Sequence, residues 1–105
     1  MYPLVALDLE TTGLDPLRDA IIEIAAVRFD GKEINGEWHS LINPQRPVPD
    51  TITQLTGINS RMVASAPKIM EVINDFAEFV GDLPLVGHNV SFDLSFLKIH
   101  TPLGR

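Results

Sequence analysis

Residues 4–13 read LVALDLETTG, and this stretch decides the fold prediction for the chain. Its apolar run, residues 4–9, is typical of a short buried strand. Asp8 and Glu10 stand two residues apart, so in a strand their side chains lie on the same face of the sheet. Their Cα atoms would then be ~6.6 Å apart. The stretch therefore predicts a strand that directs two carboxylates toward one cation.

The acidic pair has a chemical and a structural interpretation. Carboxylate oxygens are the ligands that Mg²⁺ and Mn²⁺ prefer, and two buried like charges without a cation would be costly. Thr11, Thr12 and Gly13 follow, and two hydroxyls beside a glycine form a loop that lets a ligand approach backbone amides. The alternative is that one carboxylate caps an ordinary strand-ending turn while the other is solvated.

The next segments predict an antiparallel meander. Residues 20–29 form a second apolar run with β-branched residues. Asp30-Gly31 is a strong hairpin signal. Residues 34–42 then alternate, which places Ile34, Trp38 and Ile42 on one face.

The remaining segments predict helices around one further strand. Residues 43–50 contain three prolines and form a loop, and residues 51–55 form a short helix that ends at Gly57. Ser65 is expected to cap a helix that ends near Gly81. Residues 83–86 form a strand and residues 91–100 a last helix. The order β-β-β-α-β-α indicates one domain, residues 1–105, of the mixed α/β class.

Composition narrows the function classes. The 105 residues include no cysteine, which excludes disulfide scaffolds and thiolate metal sites. No signal peptide or apolar run of membrane-spanning length is present, so we expect a cytoplasmic protein without a membrane partner. The net charge of −6 argues against a broad basic surface for nucleic acid. Two divalent cations would offset most of that charge, so metal-dependent chemistry stays open.

A third carboxylate follows the predicted strand of residues 83–86. Residues 88–93 read HNVSFD, which places Asp93 in the first turn of the last helix. Negative charge is favoured there by the helix dipole. Asp93 is thus either a third metal ligand or a residue that only compensates the dipole or caps the helix.

Together these segments resemble the DEDD-type 3′–5′ exonucleases. DLETTG at residues 8–13 is similar to the first motif of that superfamily and HNVSFD to the second, while ITQLTGI at residues 52–58 is similar to the loop between them. The nearest relatives implied are the proofreading epsilon subunit of DNA polymerase III and exonucleases similar to RNase T. The resemblance implies a ribonuclease H-like fold, in which three antiparallel strands precede a helix, a strand and a helix.

The resemblance also implies a mechanism and its ligands. Two Mg²⁺ or Mn²⁺ ions would be bound, with Asp8 contacting both and Glu10 and Asp93 each supporting one. The reaction would release nucleoside 5′-monophosphates from a 3′ end, with single-stranded DNA favoured over RNA and a polymerase or helicase as partner. The substrate-contact residues that the resemblance implies are Thr11, Thr12, Gly13, Leu14, Leu55, Thr56, Asn89 and Phe92. Of these, Asn89 and Phe92 would shape the groove for the strand, and the alternative for Phe92 is a place in the core.

The chain departs from the family pattern at its end. A third motif, which supplies a fourth carboxylate and a histidine or tyrosine base, is absent before Arg105. We therefore expect a domain without its last strand and helix, whose catalytic activity is impaired. His39, His88 and His100 are not assigned as the base. The alternative function is a non-catalytic module of this fold that binds a partner protein or a nucleic-acid end.

Glu23 stands inside the apolar segment of residues 21–27. A carboxylate in a buried strand needs a partner. We expect a structural role for Glu23, in which it either pairs with a basic residue such as Arg18 or Arg61 or caps a loop.

Overall fold

The computed structural model describes residues 3–103. It contains a sheet of β1 (Pro3–Thr11), β2 (Ile21–Asp30), β3 (Glu33–Leu41) and β4 (Leu85–Val86), with helices α1 (Asp50–Thr56), α2 (Ser60–Ala64), α3 (Ile69–Val80) and α4 (Val90–His100). The strand order is β3-β2-β1-β4. The first three strands are antiparallel, and β4 pairs in parallel with β1. The predicted mixed sheet, with a meander followed by a parallel strand, is therefore confirmed.

The side chains of β1 alternate between the two faces of the sheet, as a strand requires. Val5, Leu7 and Leu9 are buried, whereas Asp8 is exposed and Glu10 is half-buried. The two carboxylates thus share the less buried face of the central strand. Apolar burial on the opposite face fixes this register, because a one-residue slip would move the carboxylates into the core.

Helices α3 and α4 cover the apolar face of the sheet. The main core combines residues of β1, β2, α3 and α4, among them Val5, Leu7, Leu9, Ile24, Ala26, Ile73, Phe76, Phe96 and Leu97. Each fully buried side chain of this size contributes about 1.5–3 kcal/mol relative to an exposed one. The packing of α4 on β1 is what brings Asp93 to the strand that carries the other two carboxylates.

A second, smaller core positions α1 beside the end of β1. Ile22 packs there with Val48, Ile58 and Val63. The β1–β2 register is irregular at this point, since Glu10 pairs with Glu23 but Thr11 pairs with Ile21. Such irregularities occur next to active sites, where they redirect side chains.

The helix predicted to start after Ser65 begins later, and this prediction is wrong. Ser65 is the C-cap of α2, a helix that the sequence analysis did not predict. Asn59 caps the start of α2 by accepting a hydrogen bond from the Met62 amide at 2.9 Å. Pro67 disfavours helix at the preceding residue, so α3 begins only at Ile69.

Two glycine turns are where the sequence places them. Gly31 follows β2 with φ 63°, and Gly57 ends α1 with φ 80°. Both angles lie in the left-handed region that favours glycine.

In the part of the chain that the structure describes, no helix has the length and apolar character needed to cross a membrane.

Candidate functional site

Three carboxylates from two elements form the centre of the site. Asp8 and Glu10 come from β1, and Asp93 comes from the first turn of α4. Gly87 makes their approach possible, because a Cβ atom there would lie 2.7 Å from the Leu7 carbonyl oxygen and 3.8 Å from Asp93 Oδ2. A side chain at position 87 would therefore push the start of α4 away from β1.

The carboxylates repel one another. Burial, and after it the charges of Asp8 and Glu10, together raise the pKa of Asp93 to about 6. The pKa of Glu10 is also raised, first by burial, then by Asp8 and Glu23. A carboxylate that only compensated a helix dipole would have a lowered pKa. Compensation of the helix dipole therefore does not account for the raised pKa of Asp93.

The carboxylate oxygens of the three side chains are ligands of the kind that a divalent cation prefers. Within residues 3–103, no ion pair or side-chain hydrogen bond neutralises Asp8, Glu10 or Asp93. As the side chains lie, no three acidic or histidine groups of the described residues are close enough to share one ion. Like charges without a cation favour side-chain orientations that keep them apart. Rotation of these side chains would be needed for them to bind a common ion.

Asp93→Asn is expected to stabilise the chain at pH 8 in the presence of a chelator. The pKa of Asp93 is raised from 3.8 to about 6 in the folded chain. The contribution of this carboxyl group to folding stability is therefore fully present below pH 3.8 and is lost as the pH rises through about 6. The full shift corresponds to about 3 kcal/mol. Solvent at the site reduces this to about 1 kcal/mol, which is a Tm increase of about 4–8 °C.

Thermal unfolding of the Asp93→Asn variant and the wild type at pH 8 and pH 4 checks this prediction. The exposed Asp75 of α3 provides a control with the same change of charge, Asp75→Asn. The difference between Asp93→Asn and wild type should shrink at pH 4. A variant no more stable than the wild type at pH 8 would contradict the repulsion between the carboxylates.

A groove of about 350 Å³ adjoins the carboxylates. It is formed by the end of β1 with the following loop, by α1 and by α4. Its lining residues are Leu9, Glu10, Thr11, Gly13, Leu14, Ile52, Leu55, Thr56 and Phe92. Leu14 is 85% exposed and Leu55 80% exposed, so two large apolar side chains flank the opening. The groove thus offers apolar walls that end at a carboxylate.

Most of the predicted nucleotide-contact residues lie together in this groove, but Thr12 and Asn89 are not among those that line it. The Thr12 hydroxyl is held within the loop, where it donates to Asp19 Oδ1 at 3.2 Å and accepts from the Ala20 amide at 3.0 Å. The Asn89 carbonyl accepts from the amides of the first turn of α4.

Sequence reasoning missed two groove residues. The apolar run of residues 4–9 predicts Leu9 only as part of the strand, although Leu9 also lines the groove. Ile52 lies three residues before Leu55 and four before Thr56, so helical spacing puts all three on one face of α1. That spacing was the available signal for Ile52.

The partner of Glu23 is His39, not one of the two arginines that the sequence analysis offered as examples. Glu23 Oε2 lies 2.7 Å from His39 Nε2 on the neighbouring strand, and neither Arg18 nor Arg61 pairs with it. The strand register explains the difference, because Ala25 pairs with His39 and Glu23 with Leu41, which makes Glu23 and His39 diagonal neighbours on one face. Arg18 instead pairs with Asp15 at 3.7 Å.

Comparison with solved structures identifies the class of fold. Exonuclease I, solved with an inhibitor, superposes on 99% of this chain and 26% of its own with a TM-score of 0.82, at 19% identity. Exonuclease X, solved in complex with 5′ overhanging duplex DNA, matches 89% of this chain and 52% of its own with a TM-score of 0.75, at 33% identity. The fold is therefore the ribonuclease H-like fold of exonucleases.

Residues 5–101 match the model of the RNase T exonuclease family. The chain therefore belongs to this family. It is similar to DNA polymerase III PolC-type of Bacillus subtilis, with 48% identity over 95 residues. That match covers 90% of this chain and 7% of the polymerase, so the chain spans only a small part of this relative. This family is part of the DEDD superfamily, whose members are nucleases that generally use divalent metal ions.

Proposed function

We propose that this chain is a metal-dependent 3′–5′ exonuclease domain that hydrolyses DNA from its 3′ end and releases nucleoside 5′-monophosphates. The observation that carries the proposal is the position of Glu10. This residue lines the apolar groove and is also one of the three mutually repelling carboxylates. A nucleoside in the groove would therefore have its phosphate next to the carboxylates.

Asp8, Glu10 and Asp93 are the residues proposed to hold Mg²⁺ or Mn²⁺, two ions in the intact site. Ions bound there would polarise the phosphodiester and lower the pKa of the attacking water. Leu14 and Leu55 would pack against the terminal base on either side of the groove. The hydroxyl of Thr56 is already bonded to the Ile52 carbonyl at 2.8 Å, so its contact with a nucleoside would be through its methyl group.

The carboxylate electrostatics favour an enzyme over a module that only binds a partner. Asp93 is 5% exposed, and its raised pKa shows that its charge is unfavourable in the metal-free chain. A binding module has no need of this destabilising arrangement, whereas an active site trades stability for function. We propose slow turnover by the chain alone, because residues 1–105 include only three of the four carboxylates that the resemblance implies.

The biological setting proposed is DNA replication or repair in the bacterial cytoplasm, next to a polymerase. Support comes from the PolC-type relative, a bacterial DNA polymerase. Exonuclease X, which was solved with duplex DNA that has a 5′ overhang, supports DNA as the substrate. Single-stranded DNA is the proposed form at the groove, because the groove has room for an unpaired terminal nucleoside. Within DNA replication, the role that we propose is proofreading.

Two assays test the proposal. In Mn²⁺, a 5′-labelled DNA oligonucleotide should yield a ladder of shortened products, while a 3′-labelled one should release labelled mononucleotide at once. In Ca²⁺, which slows hydrolysis, the chain should bind linear single-stranded DNA better than a closed circle of the same sequence. Shortening from the 5′ end, or equal binding of the linear and circular forms, would contradict the proposal.

Leu55→Ala is expected to weaken binding of the linear oligonucleotide about fivefold without lowering stability. Leu55 is 80% exposed in the free chain, and contact with a base would remove part of that apolar surface from water. Leu17→Ala is the matched control, because Leu17 is 79% exposed but does not line the groove. Fluorescence anisotropy measures both affinities, and equal losses in the two variants would argue against a role for the groove.

A further inference from the structure

An aromatic column runs along α4 from the groove to the far end of the helix. Phe92, Phe96 and His100 are spaced by four residues, which places them on one face of the helix. The ring centroids of Phe92 and Phe96 are 5.0 Å apart, and those of Phe96 and His100 are 5.8 Å apart with nearly parallel planes. Phe92 lines the groove and Phe96 is fully buried. The column therefore fixes the position of the His100 ring relative to the groove.

The other side of His100 contacts the loop of residues 12–20. His100 Nε2 lies 2.9 Å from the carbonyl oxygen of Pro16, across 84 positions of sequence. A carbonyl only accepts hydrogen bonds, so Nε2 must carry the proton. His100 thus donates a hydrogen bond that joins the last turn of α4 to the middle of the loop.

This loop is also bonded internally. The Asp19 carboxylate accepts from the Asp15 amide at 3.0 Å, and the amides of Arg18 and Asp19 donate to the Asp15 carbonyl. Internal bonds give the loop a shape but do not place it relative to α4. The Pro16 carbonyl contact does so, two residues from the groove side chain of Leu14.

We infer that His100 is a positioning residue for the 3′-terminal nucleotide. It holds the loop that carries Leu14 at a fixed distance from the helix that carries Phe92, and so sets the width of the groove between them. The inference rests on the proposed function, since a terminal nucleotide is the ligand whose binding this width would control. His100 contacts no reacting group in this role.

The test compares His100→Leu, which removes the donor, with His100→Gln, whose amide nitrogen can replace Nε2 as the donor to the Pro16 carbonyl. Amide hydrogen exchange of the free chain is the first measurement. In His100→Leu we expect the Arg18 and Asp19 amides to exchange about tenfold faster. The buried Ile24 amide of β2 should be unchanged, which would show that the fold is intact. His100→Gln should restore the slow exchange.

The second measurement is the affinity for a DNA oligonucleotide with 2-aminopurine at its 3′ end, in Ca²⁺. We expect His100→Leu to bind about tenfold more weakly and His100→Gln to bind like the wild type. Loop exchange as slow in His100→Leu as in the wild type, or unchanged affinity in that variant, would overturn the inference. If the wild-type chain itself fails to bind, the proposed function is contradicted instead, and exchange alone then decides whether His100 anchors the loop.

Discussion

Asp8→Asn is expected to remove most of the affinity for Mn²⁺ and to lower any nuclease rate at least about 100-fold. Asp8 is the shared neighbour in the cluster, because its charge raises the pKa of both Glu10 and Asp93. Asparagine keeps the shape of the side chain and removes its charge. A 100-fold effect corresponds to a loss of about 2.7 kcal/mol, and a bound metal ion supplies several kcal/mol of transition-state charge stabilisation.

Calorimetric titration with Mn²⁺ and the rate on 5′-labelled DNA measure these two effects. Asp82→Asn is the matched control, because Asp82 is an exposed residue of the turn after α3 and makes the same change in net charge. A carboxyl NMR titration adds a readout that needs no metal, since the pKa of Asp93 should fall when the charge of Asp8 is removed. Mn²⁺ binding equal to that of the wild type would exclude Asp8 as a ligand.

Phe96→Ala is expected to lower the free energy of unfolding by about 3–5 kcal/mol. Phe96 is 0% exposed and lies at the centre of the main core, between the rings of Phe92 and His100. Its removal would leave a cavity that the rigid sheet cannot fill. Since small domains have only about 5–15 kcal/mol of stability in total, the variant is expected to be partly unfolded at 37 °C.

Urea denaturation followed by Trp38 fluorescence measures this loss, because Trp38 packs on the same core. Ile99→Ala is the control on the same helix. Ile99 is 43% exposed, so its truncation should cost much less than that of Phe96. A loss below about 1 kcal/mol for Phe96→Ala would show that α4 contributes little to the core, and the anchoring role of His100 would lose its support.

The two predictions concern opposite sides of the same β1–α4 contact. Packing of Phe96 holds α4 on the sheet, and this brings the Asp93 charge next to those of Asp8 and Glu10. The core therefore provides the energy that keeps repelling carboxylates together in the absence of metal. A bound cation would remove that repulsion, so we expect metal to stabilise the wild type more than Asp93→Asn.

The main strands and the centre of the site were predictable from the sequence. Alternation at Val5, Leu7 and Leu9 gives β1 and its two faces, because side-chain direction in a strand depends only on local backbone geometry. The glycines at positions 31 and 57 end their elements for an equally local reason, their left-handed φ angles. Asp8, Glu10 and Asp93 are proposed as the site carboxylates from two short motifs, both of which lie within the stretch that matches the exonuclease family.

Other features depend on which elements pack together, so they became visible only in the folded chain. Helix α3 begins at Ile69 rather than after Ser65, because Ser65 ends the separate helix α2 and Pro67 disfavours helix at the residue before it. Glu23 pairs with His39 through the β2–β3 register, and His100 reaches Pro16 across almost the whole chain. Such contacts join residues far apart in sequence, and local periodicity contains no information about their distance. Local sequence patterns therefore predict which side chains the candidate site contains, while the packing of α4 and α1 against β1 sets how these side chains meet.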